Sequence, residues 1–164
     1  MFFGSFAILA FALCPIRSDA AASKKEPLPR LDPSRTLHVS VEPAVTDAFT
    51  WTEVIDLRFF NETAKALRQA HYKGDIVQIL RGNKPPEGAQ HLKVTLYRWR
   101  ELDGNSVEAT ITGALDPGDG ELHALGVATG VASNAISLDE TYFQAARKAV
   151  RNLYGRIAPP KKPS

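Results

Sequence analysis

From His91 to Ser133 apolar and polar residues alternate in three consecutive runs, separated by two clusters of turn-forming residues. In the first run Leu92, Val94 and Leu96 fall on one side and Lys93, Thr95, Tyr97 and Trp99 on the other, the period of two that marks a half-buried strand. Asp103-Gly104-Asn105 interrupts it with residues that tolerate positive φ. The second run sets Val107, Ala109, Ile111 and Leu115 against Glu108, Thr110 and Thr112. After Asp116-Pro117-Gly118-Asp119-Gly120 the third run resumes with Leu122, Ala124, Leu125, Val127 and Val131, and the slip in parity between Leu122 and Leu125 predicts a β-bulge. Short connections make the three strands an antiparallel meander with one apolar face to cover.

The C-terminal region supplies a cover. Ser137 stands three residues before Glu140, the spacing at which each side chain can take up a backbone N–H freed at a helix start. From about Leu138, Tyr142, Phe143, Ala146, Ala149, Val150, Leu153, Tyr154 and Ile157 recur at intervals of three and four, drawing one wide apolar stripe. Gln144, Arg147, Lys148, Arg151 and Asn152 hold the other side, and Ala158-Pro159-Pro160 ends the helix. The small residues Gly126, Ala128, Gly130 and Ala132 on the third strand allow such a helix to approach closely, which accounts for the glycines without a phosphate-binding loop.

Upstream, Leu37, Val39 and Val41 alternate with polar neighbours in a strand stopped by Pro43. Residues 45–56 fit neither period and read as an irregular segment that tucks Phe49 and Trp51 under the core. Leu57 to Tyr72 carries Phe60, Ala64 and Leu67 at helical spacing with Glu62, Lys65, Arg68 and Gln69 outside, and Gly74 follows as a C-terminal stop. Asp75 to Leu80 is a strand, and Gly82 to Gly88 a loop with two prolines. The expected fold is therefore α+β, a single domain over 36–157 in the order β-α-β-β-β-β-α, with a mainly antiparallel sheet and both helices packed on one face.

The ends of the chain add a compartment. Phe2 to Cys14 is apolar but too short to span a bilayer comfortably, and Ala20-Ala21-Ala22 follows with small residues suited to cleavage, so residues 1–22 read as a signal peptide and the mature protein as exported, periplasmic or envelope-associated. Cys14 is the one cysteine, and Leu13 stands before it where a lipid-attachment signal wants a small residue, so a soluble exported form is expected rather than a lipid-anchored one. Residues 23–35 form a proline-rich linker with Lys24, Lys25 and Arg30, and 158–164 a disordered tail. The formal charge of +2 creates no strong field, so composition points to no nucleic-acid partner.

Candidate chemistry is sparse. His38, His71, His91 and His123 include no pair at the strand or helix spacing that sets two imidazoles on one metal, so neither a metal site nor another cofactor is expected. Nucleophile motifs are lacking, and Asp116, Asp119 and Glu121 are explained by a turn. No catalytic residue is assigned. The surface of most interest is the outer side of the first meander strand, where Tyr97 and Trp99 flanked by Arg98 and Arg100 offer the residue types that anchor interfaces.

The leader, the proline-rich linker, the Asp116-to-Glu121 turn and the closing helix at Ala145 to Leu153 together resemble a group of small bacterial envelope proteins. This is the domain type of the curli-secretion-channel lipoprotein and of the lipoproteins that activate penicillin-binding proteins. That resemblance implies a non-catalytic binding or assembly accessory of the cell envelope, working with an envelope protein or polymer, and supplies no site residue. The alternative is a small exported metal-dependent hydrolase drawing on His91 or His123 with Asp119 or Glu121.

Overall fold

The computed structural model describes residues 27–44, 53–102, 105–133 and 137–158. The expected leader, the start of the linker, Phe49 and Trp51, and the tail from 159 onward lie outside the described residues. Seven elements follow one another: β1 (Leu37–Pro43), α1 (Glu53–Gln69), β2 (Ile76–Ile79), β3 (Gln90–Leu102), β4 (Ser106–Asp116), β5 (His123–Ser133) and α2 (Leu138–Tyr154). They build one five-stranded sheet in the spatial order β2-β1-β3-β4-β5.

The sheet is mixed, which corrects the expectation of a mainly antiparallel one. β3, β4 and β5 form the antiparallel meander, but β1 runs parallel to both of its neighbours, Leu37 lying opposite Ile76 of β2 and opposite Gln90 of β3. The physical reason is the connection. α1 carries the chain from β1 to β2 as a parallel crossover, and the loop after β2 then returns it to the far side of β1. Alternation of residues within β1 is blind to strand direction.

Both helices cover one face of the sheet. Leu37, Val39, Leu92, Val94, Val107, Ile111 and Leu115 meet Phe59, Ala66, Leu67, Ala146, Val150 and Leu153 in a single buried core. The segment before β1, inside the stretch read as linker, is fastened to this core: Leu31 is buried, its N–H donates to the Ile157 carbonyl, and Gln90 bonds both the N–H and the carbonyl of Asp32.

α1 begins at Glu53 rather than Leu57, and its buried face is Phe59, Glu62, Thr63, Ala66 and Leu67, turned from the expected Phe60–Ala64 stripe. Glu62, expected outside, is inside because α2 gives it a counter-ion. Its carboxylate meets Lys65 Nζ at 2.6 Å and Arg147 Nε at 2.5 Å, the second an ion contact outside hydrogen-bond geometry. Arg147 also lies 3.7 Å from Glu140, which bonds Arg58 at 2.9 Å, so charges of alternating sign stitch the two helices together. α1 closes through His71 at φ 68°, while Gly74 is glycine because a Cβ there would stand 1.9 Å from the Arg35 carbonyl oxygen.

α2 begins as the sequence predicts. Ser137 caps it, accepting from the Glu140 N–H at 3.2 Å, although Glu140 spends its own side chain on Arg58, Arg147 and Gln144 rather than on the cap. The small residues of β5 serve the close approach unequally. A Cβ on Gly130 would lie 2.3 Å from Ala149 N and 2.4 Å from Ala145 O, so the helix backbone rests on the strand there. Gly126 instead occupies φ 80° beside Leu125, where the expected bulge shifts the register against β4. Beyond it Ala128, Gly130 and Ala132 face the helix, and Val127 and Val131 point to solvent.

Gly130→Ala forces α2 off the sheet and should destabilise the domain by at least about 3 kcal/mol in urea titration. Gly82→Ala, with positive φ but open space around it, should cost only about 1 kcal/mol. Arg147→Met leaves the Glu62 carboxylate buried with Lys65 alone and should cost about 3 kcal/mol, whereas the double variant Glu62→Met/Arg147→Met should recover most of that loss.

Candidate functional site

The residues expected to form one outer surface, Tyr97, Arg98, Trp99 and Arg100, are divided by a second bulge. Register on β4 passes from Leu96 opposite Ile111 to Arg98 opposite Thr110, so Tyr97 is the extra residue and parity inverts after it. Tyr97, Arg98 and Arg100 remain exposed, and Arg100 pairs with Glu108 at 3.2 Å. Trp99 turns instead to the helix side. Its ring meets Tyr142 and Phe143 of α2 edge-on, with centroids 5.3 and 5.6 Å away. The expectation that Tyr97 and Trp99 share a face is thus corrected; the bulge was hidden because both residues are aromatic and either parity reads as sensible.

Trp99 is only partly covered, and it lines a largely apolar pocket of about 210 Å³ between the starts of the two helices, together with Val54, Ile55, Arg58, Asp139, Tyr142 and Phe143. Arg58 stands 4.2 Å over the Phe143 ring, a cation–π contact that holds its guanidinium at the rim. The Tyr142 hydroxyl donates to Glu101, and burial, aided by that carboxylate, pushes its pKa up to about 12. Of its lining residues Val54 is openly exposed. The aromatic lining suits a partner presenting an apolar group, with Arg58 and Asp139 supplying one charge of each sign beside it.

A second site lies on the opposite, polar face of the sheet. The loop from Leu80 to Gly88 passes over β1 and, with Ser40, Glu42, His91, Lys93, Asp116 and Leu122, encloses a cleft of about 530 Å³. Its loop is tied down by Arg35, whose guanidinium donates to the Gly88 carbonyl at 2.8 Å. His91 is 7 % exposed, with Nε2 lying 2.8 Å from Ser40 Oγ, and His38 sits beside it in register on β1. Burial lowers the pKa of His91, with neighbouring His38 and Lys93 acting in the same direction and Asp116 opposing. Spacing along the chain could not reveal this grouping, because it depends on the parallel pairing of β1 with β3; the signal available was parity, which places both histidines on the polar side of their strands.

The acidic turn organises backbone. Asp116 Oδ1 accepts from the N–H groups of Gly118 and Gly120 at 2.7 and 3.1 Å, and Asp119 accepts from the Glu121 N–H and lies 3.1 Å from His123 Nε2. The Glu121 N–H and then His123 hold the Asp119 carboxyl below its ordinary range. His123 is therefore joined to Asp119 at the turn and His91 to Ser40 in the cleft. Among the described residues no three His, Cys, Asp or Glu side chains gather where they could hold a metal ion.

The described residues form an α+β unit, a single mixed sheet with two helices, with an aromatic pocket on its helical side and a polar cleft on the other. The solved structures it is similar to include two PelC dodecamers from Paraburkholderia phytofirmans. A point variant of PelC matches at TM-score 0.50 and 18 % identity over 81 % of this chain and 94 % of that one, and a second crystal form at 0.50 and 18 % over 79 % and 92 %. At this identity the likeness shows the fold alone. It falls on PelC rather than on the curli-secretion-channel or penicillin-binding-protein-activator proteins, so the α+β architecture is what stands of the expected resemblance. No protein-family model and no curated protein sequence matches the chain. Among the described residues no helix is long and apolar enough to cross a membrane.

The buried imidazole makes a pH prediction. Folding lowers the pKa of His91, so below the ordinary value of 6.5 the unfolded chain takes up the proton first. The contribution is fully present above that pH and is lost as pH falls from about 6.5 through the folded value. Stability measured in urea should drop between pH 7 and 5, and His91→Gln should flatten that drop.

Proposed function

We propose that the chain is a non-catalytic binding or assembly accessory of the bacterial cell envelope, exported by its N-terminal leader, and that Trp99 is its principal contact for an envelope protein or polymer. The observation that carries this reading is the pocket itself: a half-buried tryptophan set among Tyr142, Phe143 and the exposed Val54, with a guanidinium held over the Phe143 ring, is built like the centre of an interface. The PelC likeness supports the assembly part, since subunits of that fold are found in dodecamers. Arg98, Arg100 and Tyr97 stand on the reverse of the same strand and serve as a peripheral surface. The export part rests on the apolar run from Phe2 to Cys14.

The test is co-purification from envelope extracts, with native mass measurement of the purified chain. Trp99→Ala should weaken capture of the partner, or self-assembly, by at least about 30-fold, the loss of an interface anchor worth about 2 kcal/mol. Arg58→Ala, which leaves the aromatic lining in place, should weaken it less. Undiminished capture by a folded Trp99→Ala chain overturns the assignment.

A further inference from the structure

The outer edge of the sheet is closed by side chains of α2 in an ordered way. β5 is an eleven-residue edge strand, and alternate carbonyls of such a strand point away from the sheet, where a further strand could bind them. Here they are already occupied. Lys148 Nζ donates to the Val131 carbonyl at 2.8 Å, Asn152 Nδ2 to Thr129 at 2.8 Å, and Arg156 reaches Val127 and Leu125 through its two terminal nitrogens at 2.6 and 2.9 Å. The donors lie four residues apart along the helix and the turn after it, and their acceptors descend β5 by twos. Four helical residues rise about 6.0 Å and two strand residues about 6.7 Å, so a helix lying along a strand nearly matches it rung to rung.

We propose that Lys148, Asn152 and Arg156 form a seal on β5 that blocks strand addition by the β5 edge of a second copy. The edge needs one. Val127, Thr129 and Val131 present β-forming side chains to solvent beside it, the combination that otherwise templates edge-to-edge pairing. The opposite edge, β2, has only four residues, and a strand so short offers little to pair with. The seal depends on the depth at which α2 sits over Gly130, since a higher helix would lift all three donors from their carbonyls. It goes beyond the binding role proposed above and lies at the other end of α2 from the Trp99 pocket.

The experiment compares the full chain with the variant Lys148→Ala/Asn152→Ala/Arg156→Ala, and with Val150→Ala as a control that weakens the core of the same helix and spares the seal. Native mass spectrometry and amide hydrogen exchange are run at matched concentrations. The triple variant should form species larger than the wild type, with slower exchange at Val127, Thr129 and Val131, as new strand pairing requires. Arg156→Ala alone, losing two of the four bonds, should do so to a lesser extent and serves if the triple variant does not fold. An unchanged mass distribution overturns the seal. So does growth without protection of β5, or equal growth in Val150→Ala.

Discussion

The contact on which the molecule depends is the one between the backbone of α2 and Gly130. A helix ordinarily packs on a sheet with side chains between the two; here one residue without a Cβ lets main chain lie on main chain. Ala145, Ala146 and Ala149 are fully buried at the same seam, and Gly113 leaves room for Leu153 one strand further in. From this depth the rest follows: Phe143 and Tyr142 are low enough to meet Trp99, Arg147 is near enough to neutralise Glu62, and the longer polar side chains clear the edge of β5.

The two helices are matched by charge as well as shape. Lys65, Glu62, Arg147, Glu140 and Arg58 alternate in sign along the seam, with Glu62 the most deeply buried of them, and the last stands over Phe143 at the pocket. The aromatic pocket is thus continuous with the ion chain. Exposed members of such a chain contribute little singly, but Glu62 is buried, and its pairing fixes the rotation of α1 about its own axis. That rotation sets Val54 and Ile55 in the pocket lining.

Much of the fold was legible in the residues. Alternation in Leu92 to Leu96 and Val107 to Leu115, the hydroxyl of Ser137 before Glu140, and the parity slip ahead of Leu125 each reflect local geometry, and each corresponds to what the structure holds. What stayed hidden is non-local. The face of α1 turns on a counter-ion eighty-five positions away, which no periodicity contains. The bulge at Tyr97 leaves no trace because tyrosine and tryptophan suit either side of a half-wet sheet. Likewise the cleft around Ser40 and His91 exists only once β1 lies parallel to β3, and strand direction is carried by connections rather than by alternation.

The position of β1 carries a consequence for assembly in time. It lies between two strands that are both made later, one after a whole helix and the other after a further loop, while α2, later than all of them, closes much of the hydrophobic interior. A chain with such distant pairings meets its entropic barrier late, since little can be gained until both distant partners are present. The hairpins of the meander can zip locally, but the parallel half is obliged to wait. Until the seventeen-residue α2 is available, the strands made before it have no helix to close their apolar face.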